Sequence, residues 1–181
     1  SRTDNGGKTQ TVTARSGRAP VTEQATRIIL KAEHLGTNAQ EPSEGPIANL
    51  IDGNTATFFH TAWSVAIPGP HWLQIRLPEA LTEGHWKFWY APRNNGRQKP
   101  TDFDILVSTG GSDWTLVKKF TKDEDGLPVT ATDAYTSPNL PVTQPFDHIR
   151  MVVNAVNSGE VFFTMSEFRL WQVKVVDPEA E

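Results

Sequence analysis

From residue 26 onward, short runs of β-branched and aromatic residues alternate with clusters of Pro, Gly, Asn and Asp. Such runs, several alternating apolar and polar with a period of two, predict strands rather than helices. They fall at 27–32, 72–77, 85–90, 103–108, 115–120, 134–140, 148–154 and 168–175. No amphipathic helix of useful length is visible. Strands of this number and length suit an all-β fold, an eight-stranded antiparallel jelly-roll sandwich over residues 26–176. Asp104 to Ser108, followed by Gly110-Gly111-Ser112-Asp113-Trp114, reads as strand, turn and strand, with glycines free to take positive φ.

The first 20 residues are polar, Gly-containing and basic, with little to bury. Residues 1–25 are therefore expected to be a flexible linker or tail joining the domain to another domain or an anchor, and 177–181 a short C-terminal tail. The chain opens at Ser1 as a processed or trimmed one would.

Charge narrows the partners. The 17 Lys and Arg residues are scattered along a chain of net charge −4, which leaves no stripe for a phosphate backbone. Nucleic acid is not expected. No apolar run approaches the roughly 18 residues of a membrane span, and the absence of cysteine excludes disulfides and thiolate metal sites.

Two groups of residues carry candidate chemistry. Within 52–57 lie a carboxylate (Asp52), a glycine, an amide (Asn54) and a hydroxyl (Thr57), a set suited to an oxygen-ligated cation such as Ca²⁺. The same residues also suit a turn capped by its own side chains. The second group is His60, Trp63, Arg93 and Asn95, with Glu44 and Phe162 on neighbouring loops. A sugar offers hydroxyls that need donors and acceptors and a C–H face that packs on an aromatic ring, and this group supplies both. Each member has a plainer reading: a core aromatic for Trp63 or Phe162, an ion pair for Arg93, a structural histidine for His60, a solvated charge for Glu44. Phe163 could take the place of Phe162. Trp72, Trp86, Trp89, Trp114 and Trp171 lie in or beside strands and read as core or sheet-face residues.

Three landmarks in order resemble the discoidin, or F5/8 type C, family, including the carbohydrate-binding modules of family 32. The loop Ala48-Asn49-Leu50-Ile51-Asp52-Gly53-Asn54-Thr55-Ala56-Thr57-Phe58-Phe59-His60 is similar to the family's A-x-D-G-N-x-x-T-x-W-H, with Phe59 at the usual Trp. Next come Pro70 to Leu77 and Tyr90-Ala91-Pro92-Arg93 with Asn95-Gly96-Arg97, and finally Phe163 to Trp171. The resemblance implies a galactose-binding-like sandwich with one structural Ca²⁺ held by Asp52, Asn54, Thr57 and Glu167. It also implies that His60, Trp63, Arg93 and Asn95 grip a sugar, although the loop from Arg93 to Asn95 is shorter than is common in the family.

The expectation is a non-catalytic module for a terminal, galactose-like sugar. It would be secreted or on a bacterial cell surface, or periplasmic, monomeric, and working beside another domain. The alternative is a protein- or membrane-surface-binding adhesion domain with Val65-Ala66-Ile67-Pro68 as its tip; a third reading is part of a weakly active glycoside hydrolase. Acidic pairs for hydrolysis can be drawn, such as Glu44 with Asp102 or Asp104, but no nucleophile, zinc or phosphate-loop motif occurs.

Overall fold

The computed structural model describes the backbone of residues 2–3, 8–15 and 18–177 and the side chains of residues 19–177. Its strands pair antiparallel throughout and form two main sheets. The first sheet runs β1 (Arg2–Thr3), β2 (Lys8–Arg15), β3 (Arg18–Ile28), β14 (Glu167–Val176), β7 (His85–Ala91) and β10 (Tyr135–Thr136), with β11 (Leu140–Pro141) also pairing with β7. The second runs β4 (Leu35–Thr37), β6 (His71–Leu81), β12 (Phe146–Val156), β8 (Pro100–Ser108) and β9 (Thr115–Thr121). A small third pairing joins β5 (Phe59–His60) to β13 (Thr164–Met165).

Alternation builds the core. Trp86, Phe88, Tyr90, Phe168 and Leu170 point inward from the first sheet and meet Leu73, Ile75, Phe103, Ile105, Phe120 and Met151 from the second. Phe88 sits at the centre, stacked on Phe168 at 6.1 Å and edge-on to Phe120 at 5.3 Å between centroids. Aromatic pairs in these geometries each add about 0.5–1.5 kcal/mol beyond the area they bury. Trp86 is a core residue, whereas Trp72, Trp89, Trp114 and Trp171 are half-buried, three of them on strands and Trp114 just before β9.

The β-sandwich expected from the pattern is present, with three differences. Residues 18–25, expected in a flexible tail, belong to β3, whose Thr22–Ile28 stretch pairs with β14, and 8–15 pair with β3 as β2. These segments are rich in Thr and Val, which favour extended backbone, but too polar to register as core strands. Residues 1, 4–7, 16–17 and 178–181 of the expected tails lie outside the described residues. The strand expected over 134–140 is two short pieces, β10 and β11, because Pro138 and Pro141 have no N–H for a ladder. One short helix, α1 (Lys122–Asp125), also appears, capped by the Thr121 side chain and closed by Gly126 at φ 69°.

Both loop clusters of interest lie at the end of the sandwich where β14 begins. Glu167 stands opposite Ala91 in the β14–β7 ladder, so the loop after β7, containing Arg93, opens beside it. The β5–β13 pairing holds His60 against Thr164 at the same end.

Candidate functional site

His60 is buried on β5, at the loop end of the sandwich. Its Nδ1 lies 2.7 Å from the carbonyl oxygen of Thr61, which can only accept, so Nδ1 carries the proton and Nε2 presents a lone pair. Nε2 lies 3.8 Å from Glu44 Oε1. Burial presses the His60 pKa below its ordinary value, only partly offset by the Thr61 carbonyl and Glu44, and the Arg93 charge adds a lesser push downward. The neutral ring is thereby favoured near pH 7, with Nε2 as a fixed acceptor.

Aromatic rings surround this imidazole. Phe162 lies 5.7 Å from it, Trp63 6.3 Å and Phe58 6.3 Å between centroids. Trp63 is 49% exposed, so an indole surface is open to a ligand beside His60. Phe163 is fully buried in the core against Phe59, which leaves Phe162 as the ring at the site. The Arg93 guanidinium lies over the ring of Phe58 at 3.6 Å. Trp63 and Phe162 also border a shallow apolar groove of about 360 Å³ with Val65, Ile67, Pro68 and Val161.

The loops carrying these groups are braced by residues that the sequence did not single out. Gln40 donates to the carbonyls of Glu41 (3.1 Å) and Gly45 (3.0 Å) and accepts from Ile47 N–H (3.0 Å), fixing the turn that bears Glu44. Gly45, at φ +63°, lies so close to β5 that a Cβ there would fall 2.7 Å from both Cβ and N of His60. The buried Glu41 carboxylate accepts from the N–H groups of Trp63 (3.0 Å) and Ser64 (2.8 Å), and from both Ser43 and Ser64 hydroxyls. These bonds outweigh desolvation and hold Glu41 far below the usual carboxylate range. Glu41 thus fixes the backbone that presents Trp63.

On the opposite loop, the Arg93 carbonyl accepts from Asn95 N–H (2.7 Å) and from Lys99 Nζ (2.6 Å). Lys99 is fully buried, and burial pushes its pKa down. The loop is tied to residues 156–160 through Lys99 N–H to Asn157 Oδ1 (3.0 Å), Gln98 N–H to Ser158 Oγ (2.8 Å) and an Arg97–Glu160 ion pair.

The structure brings together Glu44, His60, Trp63, Arg93 and Phe162. Asn95 departs from expectation: its Oδ1 accepts from Arg97 N–H at 3.2 Å and its Nδ2 faces Gln98 Oε1 at 3.4 Å, so its polar atoms serve the turn. The short loop places the amide within the bend. Asp102 and Asp104, weighed as hydrolytic partners for Glu44, instead share Lys119 at 2.8 and 3.1 Å.

In the second cluster, Asp52 Oδ1 accepts from Asn54 N–H (2.9 Å), its Oδ2 accepts from the Thr57 hydroxyl, and Thr57 Oγ1 also lies 2.9 Å from the Asn54 carbonyl oxygen. Glu167 Oε1 accepts from Gly53 N–H at 2.8 Å, while Oε2 is buried without a hydrogen-bond partner. Burial and the Asp52 carboxyl push the Glu167 pKa up, whereas Asp52, despite desolvation, is held below its usual range by the Thr57 and Asn54 bonds. Among the described residues no three His, Cys, Asp or Glu side chains converge as a metal cluster. The donor set of this loop is two carboxylates, a hydroxyl and carbonyls. A buried carboxylate oxygen lacking a donor, beside a second carboxylate, fits a hard cation.

A sialidase of Micromonospora viridifaciens is 27% identical over 176 residues, covering 93% of this chain and 24% of the sialidase. An A type blood N-acetyl-α-D-galactosamine deacetylase of Flavonifractor plautii is 30% identical over 89 residues, covering 42% of this chain and 11% of that protein. The chain therefore spans a quarter or less of the length of these relatives. The fold matches the family 32 carbohydrate-binding module of Clostridium perfringens NanJ, solved in complex with galactose (TM-score 0.60, 21% identity, 82% of this chain and 99% of that one). It also matches a C. perfringens module solved with GalNAc-β-1,3-galactose (TM-score 0.62, 18% identity, 75% and 92%). The family model for the F5/8 type C domain matches residues 34–168, from the 3₁₀ turn before β4 to the start of β14. With two antiparallel sheets and the Asp52 loop at the end where β14 begins, the chain belongs to the F5/8 type C domain family.

Proposed function

We propose that this chain is a non-catalytic carbohydrate-binding module whose loop end grips one terminal, galactose-like sugar. The observation that carries the reading is a buried His60 whose Nδ1 is engaged by the Thr61 carbonyl, with Nε2 3.8 Å from Glu44, set beside the exposed Trp63. His60 and Glu44 accept hydroxyl protons, Arg93 donates, and Trp63 and Phe162 pack on the sugar's C–H face. Solved relatives of the same fold that hold galactose and GalNAc-β-1,3-galactose support this choice of ligand. An open site for one residue buries little area, so a Kd near 1 mM, about −4 kcal/mol, is expected. Such a module gains avidity when joined to another domain on a secreted or cell-surface protein.

The reading includes a structural Ca²⁺ held by Asp52 and Glu167, the Asn54 carbonyl and the Thr57 hydroxyl. Its chemistry is charge neutralisation: it pins the 52–57 loop to the start of β14. The supporting observation is the donorless Glu167 Oε2.

The test is a dense glycan array carrying terminal galactose, N-acetylgalactosamine, N-acetylglucosamine, glucose and uronic acids, probed with wild type and His60→Ala. Retention of one sugar by the wild type, lost in the variant, supports the reading. A second reading, an adhesion surface, draws on the exposed Val65 and Val161 beside Trp63. Absence of glycan binding with retention on liposomes or a protein partner would favour it.

A further inference from the structure

Three cations and two tryptophans share the outward face of β7, β14 and β3. In the ladder Arg169 stands opposite Trp89, and Trp171 stands between Lys87 on one side and Arg27 on the other. The Arg169 guanidinium lies 4.3 Å from the Trp89 ring centroid and Lys87 Nζ 5.8 Å from that of Trp171. All five side chains are half-buried, while Trp86, Phe88, Phe168 and Leu170 between them point into the core.

The carboxylate paired with Arg169 is Glu167, whose Oε2 lies 3.9 Å from Arg169 Nε, beyond hydrogen-bond distance, and that Nε is buried with no acceptor. Arg27 and Arg169 both line a cleft of about 190 Å³, together with Ile28, Ile29, Leu30 and Ile51. In a chain of net charge −4, two guanidiniums that repel each other across a cleft form an anion seat. Guanidinium forks match carboxylate and sulfate oxygens in pairs, and indoles beside them offer surface to pyranose C–H faces.

We propose that this sheet face is a second glycan contact, separate from the loop site, which binds acidic polysaccharide by seating a carboxylate or sulfate between Arg27 and Arg169, with adjoining sugar rings against Trp89 and Trp171. Three cations on an otherwise acidic chain suit a sparse polyanion better than duplex nucleic acid, whose affinity grows with the number of phosphates neutralised. The proposal does not rest on the loop site, and His60→Ala leaves it intact.

The experiment is affinity electrophoresis of the whole chain in gels containing polygalacturonate, sulfated dextran or neutral dextran, at low and high salt, with tryptophan fluorescence as a second readout. Retardation by at least one anionic polymer, weakened by salt and absent with neutral dextran, is expected; the two anionic arms tell carboxylate from sulfate. Arg27→Gln with Arg169→Gln should weaken retention by about tenfold, to the same extent whether His60 is kept or replaced by Ala. Lys87→Gln is the second variant if the double one unfolds, and should also weaken retention. The proposal is overturned if folded wild type ignores both anionic polymers, if the folded variants bind like wild type, or if duplex DNA binds as well as either polymer.

Discussion

Arg93 lies with its guanidinium 3.6 Å from the centroid of Phe58, on a loop distant in sequence from that ring but next to His60 in space. An exposed contact of this kind is worth about 0.5–1 kcal/mol, enough to orient the side chain and too little to hold the fold. Arg93→Ala should therefore reduce sugar affinity at least tenfold, the order expected for a charged hydrogen bond of about 1.5–3 kcal/mol, while Tm stays within about 2–4 °C. Isothermal titration and differential scanning calorimetry measure the two; a large fall in Tm would mark Arg93 as part of the scaffold instead.

Gly45→Ala should cost stability as well as affinity. The new Cβ would collide with Cβ and N of His60 at 2.7 Å, on backbone at φ +63°. A cost of about 1–3 kcal/mol is expected, accompanied by loss of sugar affinity because the turn holding Glu44 must shift. Urea denaturation gives the first quantity, and wild-type stability in this variant would show that the turn is slack.

Lys99 separates loop position from stability. Its Nζ, fully buried, donates to the Arg93 carbonyl. Burial disfavours the charged Lys99, and Met fills a similar volume without that cost while the Arg93 carbonyl keeps its bond from Asn95 N–H, so Lys99→Met should keep Tm yet weaken sugar binding by freeing the Arg93 loop. Unchanged affinity would show that the Asn157 and Ser158 bonds suffice.

The pH response of the sugar site follows from His60. Its folded pKa is depressed, so neutral His60 stabilises the fold fully above the unfolded value of about 6.5, and that contribution is lost as pH falls through the folded pKa. Affinity should fall in the same window, because protonated Nε2 no longer accepts. Nuclear magnetic resonance titration of the imidazole alongside affinity measurements tests this; sugar binding that rises on acidification contradicts it.

Chelation tests the other loop. Glu167, with its pKa raised by burial, is penalised when ionised, and without a cation that penalty grows as pH rises through its folded pKa. Asp52, with its pKa lowered, adds stability above its unfolded pKa that disappears as pH falls through the folded one. A chelator should thus lower Tm more at neutral pH than at mildly acidic pH, and Asp52→Ala should remove the sensitivity. A Tm indifferent to chelator, with no calcium by elemental analysis, would exclude the ion.

What the sequence revealed and what it hid divide along contact distance. His60 and Trp63 are three residues apart, and Asp52, Asn54 and Thr57 lie within six, so local spacing exposed both clusters. Glu41 and Gln40 escaped notice because what they do depends on the fold: Glu41 reaches Ser64, 23 positions on, and in isolation is one more loop carboxylate. Thr22 to Ala25 looked like tail because nothing in that polar stretch announces β14 as a partner. Asn95 resembled a ligand by position, but the tightness of the bend, set by Lys99 and Asn157, decides where an amide points.

Strand β14 has one further consequence. It is hydrogen-bonded along both edges, to β3 and β7, and begins at Glu167 under the loop site while ending nine residues later at Val176. At about 3.3 Å per residue, that places roughly 30 Å between the loops and its far end. For a molecule gripping a surface by its loops and pulled from that far end, the load runs along the strand and perpendicular to its hydrogen bonds. Two ladders would then bear the force in shear, every rung at once, rather than opening one rung at a time.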